Sequence, residues 1–442
     1  MIHLGYTEGE RPHPLGFSSA PVTSAQALTY DGDAPLLTFA PTGAGKGVSA
    51  VIPAALTWPG SLILLDPKGE ALAVTARARQ RLGQRVLAID PFGMCQGLPG
   101  VENVALDPVR SLDRTNLNAA DEARTLAAAL VSRSPGVDPF WEQSARRLIA
   151  SVMLWLMTDA GPEHQTMDVL RRIIHAGQSP LEDIADLMLR HGEVTGTIQE
   201  GGSLIRHSAD KTYGSIQATA GASLAAFGSA AVLRNESLAG PTSHGRLLSA
   251  LNGEQPVSLF LILPAERLDS HAGLLRVWIT LILRAIARRT RLPARRTLLL
   301  VDEAAQLGAL DELRTAFSLM RGYGLLTWLI YQSPAQLKLH FQDWEMFLEN
   351  AGVVQSFGSS MPATRQSIAA LMGGAAPPDH PAGQILAIAG HGVIAARRCD
   401  YRTDPVLHGL ASPNPRFLSE RGSPGIGRSG GSDLVVTQDG LS

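Results

Sequence analysis

Seven short, nearly uninterrupted apolar runs punctuate the chain, at 36–39, 62–65, 85–89, 257–263, 297–301, 325–330 and 353–357. Runs of this length bounded by turn residues predict strands buried on both faces, and the stretches between most of them carry helical periodicity. Strand and helix in alternation predict an α/β domain built on a mostly parallel, doubly wound sheet. The pattern changes between the third and fourth runs. From about 116 to 249 the apolar spacing is helical throughout, as in 119–130 and 144–155, and no strand is predicted. The economical reading is an all-α domain inserted into the α/β domain. The predicted organisation is an N-terminal extension over 1–33, a nucleotide-binding domain in two parts over 34–115 and 251–410, the all-α domain over 116–250, and a Gly/Ser-rich tail over 411–442 expected to be disordered.

Composition narrows the class. The 442 residues are 45% hydrophobic and 18% charged, enough for a sizeable core, and the net charge of −2 excludes a uniformly basic nucleic-acid coat while leaving room for a confined basic channel. The two cysteines, Cys95 and Cys399, have no metal or redox spacing, and the histidines show no paired-ligand pattern, so no structural metal is expected. Residues 47–65 carry no charge over a length that would span a bilayer. Pro53 and Pro59-Gly60 break that run into helix, turn and strand, and the polar N-terminus has no signal-peptide core, so the chain is expected to be soluble.

Candidate chemistry begins at Ala-Pro-Thr-Gly-Ala-Gly-Lys-Gly-Val, residues 40–48. A phosphate-binding loop reads G-x-x-x-x-G-K-[ST], and this one departs at both ends, with Ala40 for the first glycine and Gly47 for the metal-binding hydroxyl. Its context is strand, glycine loop, helix. Backbone N–H groups of Thr42, Gly43, Ala44, Gly45, Lys46 and Gly47 would converge on an anion, and Lys46 would reach the β- and γ-phosphates of ATP. Only four of the 38 basic residues are lysine, so one inside a glycine loop is not explained by abundance. As a surface loop residue, Lys46 is expected to contribute little packing. Ser49 cannot replace the missing hydroxyl, because two residues along a helix turn its side chain about 200° away.

A second motif supplies what hydrolysis needs beyond binding. Thr-Leu-Leu-Leu-Val carries a strand to Asp302 and Glu303 at its C-terminal end, where α/β sheets bind ligands. Asp302 would hold Mg²⁺ through water, and Glu303 would act as general base on the attacking water. The next strand ends in Gln332, whose amide could sense the γ-phosphate, as in NTPases with an extra strand between the two motif-bearing ones.

Taken together, Pro41–Val48, 53–61, Asp66-Pro-Lys-Gly-Glu70, Asp138-Pro-Phe-Trp141, Val301-Asp-Glu-Ala304, Arg321-Gly-Tyr-Gly324 and Tyr331-Gln-Ser333 resemble, in order, the type IV secretion coupling proteins of the VirD4/TraG group. The resemblance covers most of 34–405. It implies a RecA-like P-loop NTPase with an inserted all-α domain, a live loop despite Gly47, a hexameric ring that is monomeric in isolation, and ATP hydrolysis with Mg²⁺ at subunit interfaces. By position, Arg321 resembles an arginine finger acting on a neighbour's nucleotide, and Asp66, Lys68 and Glu70 would line the edge of the site. Phe140 and Trp141 are read as core anchors. The implied partners are inner-membrane components of the secretion channel and a cargo of protein effectors or a relaxase with single-stranded DNA. The implied place is the bacterial cytoplasm, recruited to the inner membrane. Family members usually carry N-terminal transmembrane helices, which this sequence lacks: either it is a soluble variant or that anchor lies upstream of it. A DNA-pumping motor of the FtsK or HerA kind and a catalytically idle ATP-binding cargo receptor are the alternative readings.

Overall fold

The computed structural model describes residues 1–8, 25–132, 138–176, 178–376, 380 and 382–414. Among them, twelve strands form one sheet: β1 (Ile2–Thr7), β2 (Ala27–Tyr30), β3 (Leu36–Phe39), β4 (Leu62–Leu65), β5 (Arg85–Ile89), β6 (Val101–Asn103), β7 (Val257–Leu261), β8 (Thr297–Val301), β9 (Leu325–Tyr331), β10 (Val353–Ser356), β11 (Gly383–Ile388) and β12 (Gly392–Arg397). Their order is β2-β1-β12-β11-β10-β3-β9-β8-β4-β7-β5-β6. Every pairing from β10 to β6 is parallel, and the remaining four strands add on antiparallel at the β10 side. A parallel sheet needs cover on both faces. Helices α1 (Gly47–Thr57) and α2 (Glu70–Arg81) supply it on one face, packing Ala54, Leu56, Leu72 and Val74 against Leu62, Leu64 and Leu300.

The other face receives Leu37, Phe39, Ile63 and Val301 and is covered by most of the remaining helices. Between β6 and β7 the described chain runs through α3 (Ala119–Leu130), α4 (Pro139–Asp159), α5 (Met167–His175), α6 (Glu182–Arg190), α7 (Thr197–His207), α8 (Asp210–Leu224), α9 (Ala230–Ala239) and α10 (Ser243–Leu251). The core helix of this unit is α4, with Leu148, Ile149, Val152 and Met153 wholly buried. Asp138 caps it by accepting from Phe140 N at 3.0 Å. Phe140 is 43% exposed, so only Trp141 of that pair packs against the core, a correction to the reading of both as anchors. After β7 come α11 (Ala272–Ala287), α12 (Asp311–Ser318), α13 (Pro334–His340), α14 (Glu345–Asn350) and α15 (Pro362–Leu371).

All seven apolar runs are strands. The other strands are β1, β2, β6, β11 and β12; β11 and β12 carry short apolar runs of their own, at 385–388 and 393–396, and β1 and β2 bring parts of the 1–33 extension into the sheet. In β1, Ile2 and Leu4 are buried with only the part-exposed His3 between them, a half-buried pattern too short to register as a run. Of the 411–442 tail only 411–414 fall within the described residues.

The turn between α1 and β4 is fixed from beneath by Arg79, which is fully buried. Its guanidinium donates to Ala55 O at 3.2 Å, Gly60 O at 2.8 Å, Gln84 Oε1 at 2.6 Å and Ser258 Oγ at 2.8 Å, and also to Trp58 O. No carboxylate is among these partners, so carbonyl and hydroxyl dipoles offset the buried charge, and burial pulls its pKa down. Gly60 has to be glycine because a Cβ there would stand 2.0 Å from Arg296 O.

No single helix among the described residues is long and apolar enough to cross a membrane. The bent pair Asp210–Gly228 and Ala230–Ala239 passes on length and composition together, but its Tyr213, Ile216, Leu224 and Phe227 are core residues of the helical unit.

Two acids buried where this unit meets β6 tie stability to pH. Asp107 accepts from Val109 N at 2.8 Å and Met167 N at 3.0 Å, joining the chain after β6 to α5. Glu236 on α9 lines a cavity of about 650 Å³ with Asp107, Arg110 and His244. Burial pushes both carboxyls up, and the charge of Asp107 adds to the rise at Glu236. In this range the folded chain binds more protons than the unfolded one, so stability is full below the ordinary carboxylate pKa and falls as pH rises through the raised ones. Thermal unfolding is therefore expected at a higher temperature near pH 5 than near pH 8. Glu236→Gln is expected to recover about 1 kcal/mol at pH 8 and nothing at pH 5, measured by calorimetry across the range. An equal effect at both pH values would remove Glu236 as the source.

Candidate nucleotide site

The loop 40–47 leaves the C-terminal end of β3, the strand flanked by β9 and β10. Ala40 is buried, its N–H bonded to Tyr331 O at 2.9 Å, and its φ is not positive, so the first position has no need of glycine. The loop does need it at Gly43 and Gly45, with φ of 80° and 82°. Gly47 faces open space, so a side chain there would meet no obstacle and the missing hydroxyl is not a steric necessity. The helix that follows starts wide, with Ile52 N–H reaching back five residues to Gly47 O.

Arg398, just past β12, was not singled out by the sequence. Its Nη1 donates to Ala44 O in the loop, and its guanidinium lies 4.6 Å from the centre of the Phe357 ring. The N–H of Ala44 donates within the loop to Pro41 O at 3.1 Å, so Ala44 is held on both sides. No local motif announces the contact with Arg398, because it joins residues 354 positions apart.

Lys46 reaches across to the end of β8 instead of lying on the surface. Its side chain is 12% exposed, Nζ stands 3.5 Å from Asp302 Oδ1, and it bonds Glu303 Oε1. The other carboxylate oxygen of Glu303 accepts from Gln332 Nε2 at 2.9 Å. Lys46, Asp302, Glu303 and Gln332 thus form one cluster. Strand order explains the last member: β9 lies between β3 and β8, so its end falls between the loop and the acidic pair.

Among the described residues, Glu303 is the one non-glycine with positive φ, at 61°. This left-handed conformation costs a residue with a Cβ roughly 1–2 kcal/mol, and such strain collects at functional sites. Here it directs the carboxylate back over the loop. Glu303 precedes the short helical turn Ala304–Leu307 without making a side-chain cap, so helix capping does not account for it.

Asp302 lies deeper. Burial pushes its pKa up, Lys46 pulls it down, Glu303 raises it and Lys68 pulls weakly down. Its Oδ1 makes no hydrogen bond and is met only by the Lys46 ammonium at 3.5 Å, which leaves room for a cation or the water of one once Lys46 turns to phosphate. Among the described residues no three His, Cys, Asp or Glu side chains converge on one point. One carboxylate with substrate phosphates and water suits Mg²⁺ and does not suit a metal that demands an all-protein cage.

Asp66, beside Asp302 across the β4–β8 pairing, is buried and pushed up to about 6, chiefly by burial. It accepts from Leu72 N at 2.9 Å and Lys68 N at 3.4 Å, so it shapes the turn that presents Lys68 at the rim. Glu70 accepts from Asn414 Nδ2 at 2.6 Å. Arg321 is elsewhere: it precedes β9, at the N-terminal edge of the sheet, a strand length of about 20 Å from the loop.

The family model described as "Type IV secretory system Conjugative DNA transfer" matches residues 11–376. The chain belongs to this family of coupling proteins. It is 29% identical over 328 residues to a conjugal transfer protein TraG of Escherichia coli, covering 70% of this chain and 50% of that protein. It is 26% identical over 329 residues to the type IV secretion system-coupling protein VirD4 of Bartonella quintana, covering 72% and 50%. It thus spans about half the length of the curated relatives it matches. Among solved structures, the bacterial conjugative coupling protein TrwB in complex with sulphate aligns with a TM-score of 0.63 at 17% identity, over 82% of this chain and 85% of that one. TrwB with ADP and Mg²⁺ aligns at 0.58 and 19%, over 82% and 77%. The coupling-protein fold, a RecA-like P-loop domain on a mostly parallel sheet, is therefore shared.

Lys46→Ala is expected to abolish nucleotide binding, lowering affinity at least about 100-fold in titrations with a fluorescent ATP analogue. It also strips two part-buried carboxylates of their cation, so a loss of about 1–3 kcal/mol in unfolding free energy should accompany it. Wild-type affinity would rule out the loop as the phosphate site.

Proposed function

We propose that this chain is an ATP hydrolase whose turnover drives cargo into a type IV secretion channel, with the cluster of Lys46, Asp302, Glu303 and Gln332 as its reaction centre. The observation that carries the reading is Glu303, strained, aimed at the loop lysine and held by Gln332. Solved TrwB structures include complexes with a non-hydrolysable ATP analogue and with ADP and Mg²⁺, which supports the same ligands here.

The β- and γ-phosphates would take Lys46 from Glu303, since a phosphate offers the ammonium more charge than one carboxylate oxygen. Backbone N–H groups of 42–47 would hold the same anion at the start of α1. Glu303, released from Lys46 and still held by Gln332, would accept the proton of the attacking water. Asp302 would hold the magnesium ion, which supplies neutralisation of phosphate charge when bound.

The remaining requirement is a group for the charge that develops on the γ-phosphoryl. Arg321 meets it only in trans, because a strand length separates it from its own loop. Its surroundings suit an interface: Leu292, Leu319 and Tyr323 around the same turn are 67%, 68% and 41% exposed. A head-to-tail interface of this kind makes a ring when its rotation closes, and a hexamer is the ring proposed. Peripheral attachment to the inner membrane, and cargo of effector protein or relaxase with single-stranded DNA, complete the proposal.

Two measurements test it. Glu303→Gln should bind ATP with near wild-type affinity while kcat falls by about 10² or more, because the amide keeps the shape and cannot take the proton. Normal turnover in this variant would remove Glu303 as the base, and magnesium-dependent turnover in the wild type excludes an idle receptor. Arg321→Ala, which keeps its own ATP pocket, should lose about 10³ or more in assembled rate. Mixed with Lys46→Ala, which keeps the finger, it should regain part of that rate. A mixture that co-assembles and stays inactive would overturn action in trans.

A further inference from the structure

Arg321 does not hang free at the sheet edge. Its Nε lies 2.7 Å from Asp33 Oδ2, in the loop between β2 and β3. The same oxygen stands 3.4 Å from Arg296 Nη2, and Arg296 Nη1 donates to Gly32 O at 3.2 Å. Resting on the reading of Arg321 as a finger acting in trans, we propose that Asp33 is its positioning residue, gripping the guanidinium by Nε so that the two terminal nitrogens point outward as a fork for the neighbour's γ-phosphate.

Three features support the assignment. The approach is closest at Nε, 2.7 Å from the carboxylate oxygen, at the base of the guanidinium fork. A fork held at its base offers a phosphate two parallel N–H donors with the rotamers already fixed. The charge balance also works: Asp33 is shared with Arg296, so the three groups sum to one positive charge, and the grip does not cancel the charge the finger has to deliver. Arg296 in turn is anchored through Gly32, and Tyr30 steadies the same loop by donating to Ala34 O at 2.9 Å.

The pair is solvent-accessible, with Arg321 60% and Asp33 30% exposed, so its removal takes little from the fold and its effect should appear in rate. In full-length protein at a concentration where rings form, Asp33→Ala is expected to lower kcat about 10- to 100-fold with KM for ATP within about twofold, since misplacing a catalytic group by about 1 Å has that cost. Asp33→Asn, which keeps an oxygen beside Nε, should recover much of the rate. Arg321→Lys has no Nε to grip and should fall at least as far as Asp33→Ala. Asp33→Ala added to Arg321→Ala should cost nothing further, with ring content checked by sedimentation. A further loss in that double variant, or a wild-type kcat in Asp33→Ala, would overturn the assignment. If Arg321→Ala itself turned over at the wild-type rate, the finger reading would fall first; a dead Arg321→Ala beside a fully active Asp33→Ala removes the grip alone.

Discussion

The level at which parallel strands end is the constraint on which the nucleotide site depends. Leu65 of β4 pairs with Val301 of β8 and with Leu261 of β7, so Asp66 and Asp302 leave the sheet side by side. On the other flank, β9 runs two residues beyond the level of Val301 to pair Tyr331 with Phe39, which brings Gln332 out beside the start of the loop. Slipping any of these strands by one residue would reverse its faces and move its last side chain to the wrong height. The helices on both faces hold that register by burying continuous apolar strands, and this is why the catalytic candidates, few in number, need so large a scaffold.

Within that frame the cluster is poised by competing demands on Lys46. Without phosphate it answers the buried carboxylates, and Glu303 accepts a strained backbone to meet it. With phosphate the lysine has a better partner, while Gln332 keeps the glutamate in place. Binding and readiness for proton transfer are therefore coupled through one ammonium group, with no movement of the sheet required. The same logic separates Asp302 from Glu303 although they are neighbours in sequence: Asp302 meets Lys46 only at ion-pair distance, while the left-handed conformation of Glu303 turns its carboxylate over the loop into direct contact.

Much of this was legible in the sequence because a parallel strand buried on both faces writes itself as an apolar run, and a residue just past such a run stands at the ligand-binding edge. Lys46, Asp302, Glu303 and Gln332 could be placed in one region on that rule alone. The strands β1 and β2 could not, since antiparallel strands near an edge mix polar with apolar over only a few residues, whereas β11 and β12 do carry short apolar runs, at 385–388 and 393–396. Contacts that link distant parts of the chain were also silent. Nothing near Arg398 points to Ala44, nothing near Asp33 points to Arg321, and the turned backbone of Glu303 depends on groups more than 25 residues away in either direction. The burial of Lys46 was misjudged for a related reason: a loop is read as surface until the opposing strand end that covers it is known.

The antiparallel addition also gives the phosphate loop a mechanical connection to the first strand. β1 is stitched to β12, β12 ends at Arg397, and the next side chain holds Ala44 O. β12 is also paired through β11 and β10 to β3, so a load applied along β1 reaches the loop by two routes, the sheet itself and the Arg398 guanidinium. The loop is thus held at two points of one sheet, by its own strand and by the residue that follows the hairpin, and tension on either alters the cradle in which phosphate would sit.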